Sequence, residues 1–193
     1  MLFKMYLKLG REHITDLNGY DHILFLTALA AVYLLSDWRK VLILITAFTA
    51  GHSVTLALAT LRIINIPTDL IEFLIPVTIF ISAFSDFFYD KQKNDKKIHR
   101  MKYILAMFFG LIHGLGFSNY LRELLGKEEN IVSPLFAFNI GLEFGQIIIV
   151  LSYLTVASIL VSFFKVPRRD ITLITAGAAF GISIILMIER FPF

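Results

Sequence analysis

The sequence predicts an all-α membrane protein, a bundle of six transmembrane helices in one membrane domain spanning 1–193, with an interfacial helix ahead of it. Three observations predict it. Of the 193 residues 57% are apolar and only 17% are charged, with a mean hydropathy of +0.74, a balance foreign to soluble domains. The charges gather between long apolar runs, and about 20 apolar residues suffice for a helix to cross the hydrocarbon. The runs are continuous rather than alternating, which excludes a membrane barrel of at least about eight alternating strands. The chain has no cysteine, which removes disulfides, thiolate ligands and cysteine nucleophiles. A formal charge of +3, with basic residues tied to helix ends, points to the bilayer and away from nucleic acid.

The first segment, Met1 to Asn18, mixes Leu2, Phe3, Met5, Tyr6, Leu7 and Leu9 with Lys4, Lys8, Arg11 and Glu12. It is too charged to span and lacks the ordered parts of a cleavable signal, so it reads as an amphipathic helix lying in the interface. The spans then follow as Tyr20 to Ser36, Lys40 to Leu61, Asp69 to Phe88, Met101 to Ser118, Ile131 to Phe164 and Ile171 to Ile188. The fifth exceeds one crossing, which calls for tilt or for first turns outside the hydrocarbon. Of the breaks, only Asn119 to Asn130 is long enough to hide further structure. No internal repeat is legible.

Six spans place both termini on one side, and the side richer in Lys and Arg is cytoplasmic. Arg39, Lys40, Lys91, Lys93, Lys96, Lys97, Arg100, Lys102, Lys165, Arg168 and Arg169 fall on one face; Lys4, Lys8, Arg11, Arg62, Arg122, Lys127 and Arg190 fall on the other. Eleven against seven puts both termini outside.

An ionisable group at the centre of a span costs roughly 2.5–3.5 kcal/mol on insertion scales, so each one faces the protein interior and suggests a function. The spans carry Asp21 and His22 in the first, His52 in the second, Glu72 in the third, His113 in the fourth and Glu143 in the fifth. His52 lies twelve residues beyond Lys40 and His113 eleven beyond Lys102, so both stand about 16–18 Å above the cytoplasmic edge by helix rise. Asp21, His22 and Glu72 have barely begun to descend from the outer side. The six therefore share one layer in the outer half. Asp86 and Glu189 lie at span ends, and His99 reads as a solvated residue of a charged loop.

In the fifth span Asn139, Glu143 and Gln146 form one helical stripe. Gly141 with Gly145, and Gly110 with Gly114 around His113, are small-xxx-small pairs that let backbones approach closely. Three imidazoles with carboxylates and no thiol suit borderline divalent metals, zinc, nickel or cobalt, better than Cu(I) or calcium. Asp21, His22, His52, His113 and Glu143 are the ligand candidates. Thr49, Ser53, Asn139 and Gln146 are candidates to orient them, since a ligating His donates its other N–H to an acceptor. Glu72 is a lesser candidate, because Asp69 beside it already serves as a cap.

The segments GYDHILFL (Gly19 to Leu26), TAFTAGHSVTLALA (Thr46 to Ala59), IEFLIPVTI (Ile71 to Ile79), FGLIHGLGFS (Phe109 to Ser118) and FNIGLEFGQ (Phe138 to Gln146) resemble the signature blocks of the HupE/UreJ family. The likeness touches five of the six spans and places the chain in a divergent branch. It implies a small multi-pass protein of the bacterial cytoplasmic membrane, a nickel permease or accessory protein. The family's first motif, a His ahead of an Asp-His pair, maps to His13, Asp21 and His22, here with seven residues between His13 and Asp21.

Two mechanisms share this site. In transport, an ion captured by Asp21, His22 and His13 passes to His52, His113 and Glu143; below them only Thr46, Ser82, Ser85, Asp86 and Ser152 offer a polar path. The alternative is an intramembrane metal hydrolase, with three His leaving a position for activated water and Glu143, Asp21 or Ser53 in catalytic roles on a lipid or peptide substrate. A metal-stabilised assembly factor and a homo-oligomer stay open.

Overall fold

The computed structural model describes residues 2–89, 96–125 and 131–192. They form eight α-helices: α1 Leu2–Thr15, α2 Asp21–Ala30, α3 Trp38–Thr60, α4 Thr68–Phe87, α5 Lys96–Gly116, α6 Ser118–Leu125, α7 Val132–Ser162 and α8 Arg168–Glu189, with a single 3-10 turn at Leu35–Asp37. Lys91, Lys93 and Lys127, counted in the charge asymmetry, lie outside the described residues. Helices α4, α7 and α8, and α3 together with the turn before it, are long and apolar enough to cross a membrane. Helix α5 from His99 joined to α6 makes a fifth candidate, bent by 49°.

The helix ends follow local chemistry. Helices α3 and α7 close on left-handed residues, Arg62 (φ 60°) and Lys165 (φ 56°), and Ile63 and Val166 donate back to the carbonyls of Leu58 and Leu160. Pro67 and Pro167 then start α4 and α8.

One departure from the predicted elements has a physical cause. The first span stops being helical at Ala30, and the carbonyls freed beyond it are met by other helices: Ala31 O accepts from Thr172 Oγ1 at 3.0 Å and from the Tyr153 hydroxyl at 3.5 Å, and Val32 O accepts from Arg168. Buried backbone outside a helix needs such internal partners. Helix α6 occupies part of the break long enough to hold further structure, and it buries Ser118, Leu121 and Leu125 on one face.

Glycines set the packing. A Cβ on Gly51 would strike the Met107 carbonyl, and one on Gly110 or Gly114 would strike Phe48 or His52, so α3 and α5 run side by side in backbone contact. Gly10, Gly141 and Gly145 do the same for α1 and α7. Antiparallel α4 and α8 meet through rings, with Phe80 and Phe180 at 4.7 Å and Phe73 and Phe191 at 5.5 Å. Helix α2 sits within this frame, with Phe25, Leu26 and Ala28 fully buried. Outward-facing Ile43, Val54, Phe84, Phe108, Phe144 and Ile174 form the apolar exterior that a bilayer covers.

Candidate functional site

The site is assembled where α2 begins. Asp21 and His22 occupy its first turn, and the close α3–α5 contact brings His52 and His113 to the same level, because Gly114 abuts the His52 backbone. The His22 and His113 rings are 5.5 Å apart between centroids. Helix α1, pressed onto α7, adds His13, whose ring is 4.7 Å from His22 and 4.0 Å from Phe117. His52 stacks on Phe138 at 6.4 Å. Four imidazoles from four helices thus meet beside one carboxylate.

The nitrogens carry the chemistry. His113 Nδ1 lies 2.9 Å from the Phe109 carbonyl; a carbonyl only accepts, so Nδ1 holds the proton and Nε2 keeps its lone pair. His22 Nδ1 lies 3.1 Å from Asp21 Oδ1, off the line of a hydrogen bond. Asp21 Oδ1 also accepts the His22 backbone N–H at 2.9 Å, and Oδ2 binds Arg190 Nη1 at 3.1 Å. The Nε2 atoms of His13, His22, His52 and His113 are all buried and without a partner in the protein. One such orphan is costly and rare in a folded protein, and four together call for a ligand. Burial lowers the pKa of His13, and the neighbouring His22 and His52 push it the same way against Asp21, so this ring is neutral and able to ligate. As the side chains stand, no group of three His, Asp or Glu among the described residues closes on a single ion. The cluster gathers donors without completing a coordination sphere.

A cavity of about 290 Å³ reaches the cluster, lined by His13, Asp21, His22, Glu72, His113 and Arg190 among others. Below it lies an aromatic floor: Phe25 and Phe48 stand 5.0 and 5.2 Å from the His113 ring and 5.0 Å from each other.

The other candidates are sorted by position. Glu72 is exposed but lines the cavity mouth. Asn139 lies against His52, donates to the Leu135 carbonyl at 2.8 Å and leaves its Oδ1 buried and unpaired. Gln146 Oε1 accepts from Thr49 at 2.8 Å, and Ser53 donates to the Thr49 carbonyl of its own helix. Glu143 does not join the cluster: its Oε1 accepts from Thr46 Oγ1 at 2.8 Å, on the side of α7 that meets α3 near the exterior. His99 is not a solvated loop residue; it lies buried in α5 with Nδ1 3.4 Å from the Tyr33 hydroxyl. Sequence reasoning missed Arg190, which reads as a loop charge, and the phenylalanine floor, which reads as lipid-facing filler.

A family model described as HupE / UreJ protein matches residues 1–190. The chain belongs to the HupE/UreJ family. The match runs through all the helices that build the site, from His13 on α1 to Arg190 after α8, beyond the five blocks that carried the resemblance. No curated protein and no solved structure matches this HupE/UreJ chain.

Proposed function

We propose that this HupE/UreJ protein captures a divalent transition metal ion, most simply Ni(II) with Zn(II) as the other candidate, in the outer half of a bacterial cytoplasmic membrane, for transport or for delivery. The observation that carries this reading is the set of four buried, unpartnered imidazole Nε2 atoms, of which those of His13, His22 and His113 belong to residues lining one cavity. Imidazole nitrogens beside a carboxylate are the donor set of borderline divalent ions. The Phe109 carbonyl fixes the His113 ring so that it presents Nε2, and the Asp21 carboxylate stands 3.1 Å from His22 Nδ1. Small rotations of the rings would complete a sphere that the resting arrangement leaves open. In this reading α2 and the irregular stretch after it make one broken crossing, which gives six, with α1 at the interface and both termini outside.

Purified protein in proteoliposomes should take up Ni(II) saturably, and His22→Ala and His52→Ala should each reduce that uptake by about tenfold or more, the order of loss expected when a metal site is disturbed. Equal uptake by both variants and the unsubstituted chain would overturn the reading. The phenylalanine rings packed against His113 favour a second reading, a hydrolase whose site is reached from one side only. It requires an ion held by three His with a water in the fourth position. Metal-dependent turnover of a lipid or peptide without net metal uptake would select it.

A further inference from the structure

The structure holds a second buried charge, at the inner end of α4. Asp86 is fully buried. Its Oδ1 lies 2.6 Å from Lys102 Nζ, and its Oδ2 is buried with no partner. The Lys102 ammonium also stands 5.9 Å from the centre of the Tyr33 ring and 5.3 Å from that of Tyr89, ring faces of the kind that hold cations. Arg169 nearby spends its guanidinium on the backbone carbonyls of Asp86, Phe87 and Tyr89, not on the carboxylate. A buried pair kept only for structure would be expected to satisfy both carboxylate oxygens. Here one oxygen is spare, and the cation on the other sits at the end of a flexible arm.

Asp86 also ends a line of polar groups. Thr78, Ser82 and Asp86 follow one another at four-residue intervals on α4, and all are buried. Glu72 and Ile75 on the same helix line the cavity of the histidine cluster. Fourteen residues separate Glu72 from Asp86, about 21 Å of helix. Pro76 between them cannot donate to the Glu72 carbonyl, which leaves a further oxygen on this line. Helix α4 therefore carries oxygen groups past the level of the phenylalanine floor.

We propose that Asp86 is an inner cation site on the path of a transported divalent ion, and that Lys102 is the tethered cation that fills it between ions. This rests on the transport reading above. An arriving ion keeps most of its water, since one carboxylate and a few hydroxyls cannot replace the shell. It displaces the ammonium, which returns when the ion leaves toward the cytoplasm. The buried carboxylate is never left bare.

The test is equilibrium dialysis of the full chain in lipid nanodiscs against Co(II), whose absorption spectrum reports its ligands, paired with Co(II) uptake into proteoliposomes. Lys102→Met should bind one Co(II) more than the unsubstituted chain, with an oxygen-rich spectrum. Lys102→Met combined with Asp86→Asn, a neutral pair of similar shape that guards against misfolding, should return to the unsubstituted count. Asp86→Asn, alone and in that pair, should slow uptake by at least about tenfold while the histidine cluster still binds its ion. An unchanged ion count in Lys102→Met, or unimpaired uptake in the Asp86→Asn variants, overturns the inner site. If the unsubstituted chain binds no Co(II) and Lys102→Met binds one, the inner site stands and the histidine cluster is not a metal site.

Discussion

His113 shows how one hydrogen bond decides what a buried ring can do. With Nδ1 committed to the Phe109 carbonyl, Nε2 faces the pocket as a lone pair. His113→Ala should weaken Ni(II) binding by about tenfold or more in calorimetry of the purified protein. Glu143→Gln should leave it within about twofold, because Glu143 is bound to Thr46 outside the cluster and the amide keeps an acceptor there. Loss of binding in Glu143→Gln with normal binding in His113→Ala would reverse the assignment. The histidines were legible in the sequence because an imidazole at membrane depth is expensive, and their common level follows from counting residues off the cytoplasmic edge. Glu143 obeyed the same rule, yet its carboxylate meets α3 at Thr46, so it stands apart from the cluster along that helix. Helix α7 keeps the whole stripe against α3, at different heights: Asn139 meets His52, Gln146 meets Thr49, and Glu143 meets Thr46, six residues before His52 on that helix. Arg190 stayed hidden because its partner, Asp21, lies 169 residues away.

At the scale of elements, the packing depends on glycines that place backbones in contact. Gly51→Leu and Gly110→Leu should each cost about 1–3 kcal/mol or more, because the added side chain meets the main chain of the facing helix and not a yielding side chain. The readout is a lower melting temperature in detergent and loss of metal binding, since α3 and α5 carry His52 and His113. Gly177 and Gly181 on α8 have the same small-xxx-small spacing, yet a Cβ there would meet nothing within 4 Å. Gly177→Ala and Gly181→Ala should therefore be neutral or raise stability by up to about 1 kcal/mol through helix propensity. Destabilisation of those two variants would show that α8 packs against something the single chain lacks. Spacing alone does not distinguish used from unused pairs, and that is why this part of the packing could not be read in advance. Nor could the early end of α2. No glycine or proline lies between Ala30 and Ser36; the break is held by Thr172, Tyr153 and Arg168, more than a hundred residues further on.

For the molecule as a whole, apolar run lengths made the helices legible to within a few residues, whereas the route of an ion depends on what blocks and what opens. The cavity reaches His22 and His113 from the end of the bundle that carries Glu72 and Arg190, and the rings of Phe25 and Phe48 pack against His113 and each other. An ion bound by α1, α2, α3 and α5 together ties four helices, so Ni(II) at about 100 times its dissociation constant should add about 2.7 kcal/mol of stability. That gain should appear as a raised melting temperature and vanish in a His22→Ala/His52→Ala double variant. Sidedness has its own test, made clean by the absence of native cysteine. In the proposed orientation, with the excess of Lys and Arg at the opposite ends of the helices inside, the cavity mouth opens on the extracytoplasmic face. Glu72→Cys should then react with a membrane-impermeant maleimide in right-side-out vesicles, and saturating Ni(II) should slow that reaction because a bound ion narrows the same mouth. Labelling confined to inverted vesicles would turn the molecule over in the membrane, making the histidine cluster a cytoplasmic delivery site and the Asp86–Lys102 pair the outer end of the path.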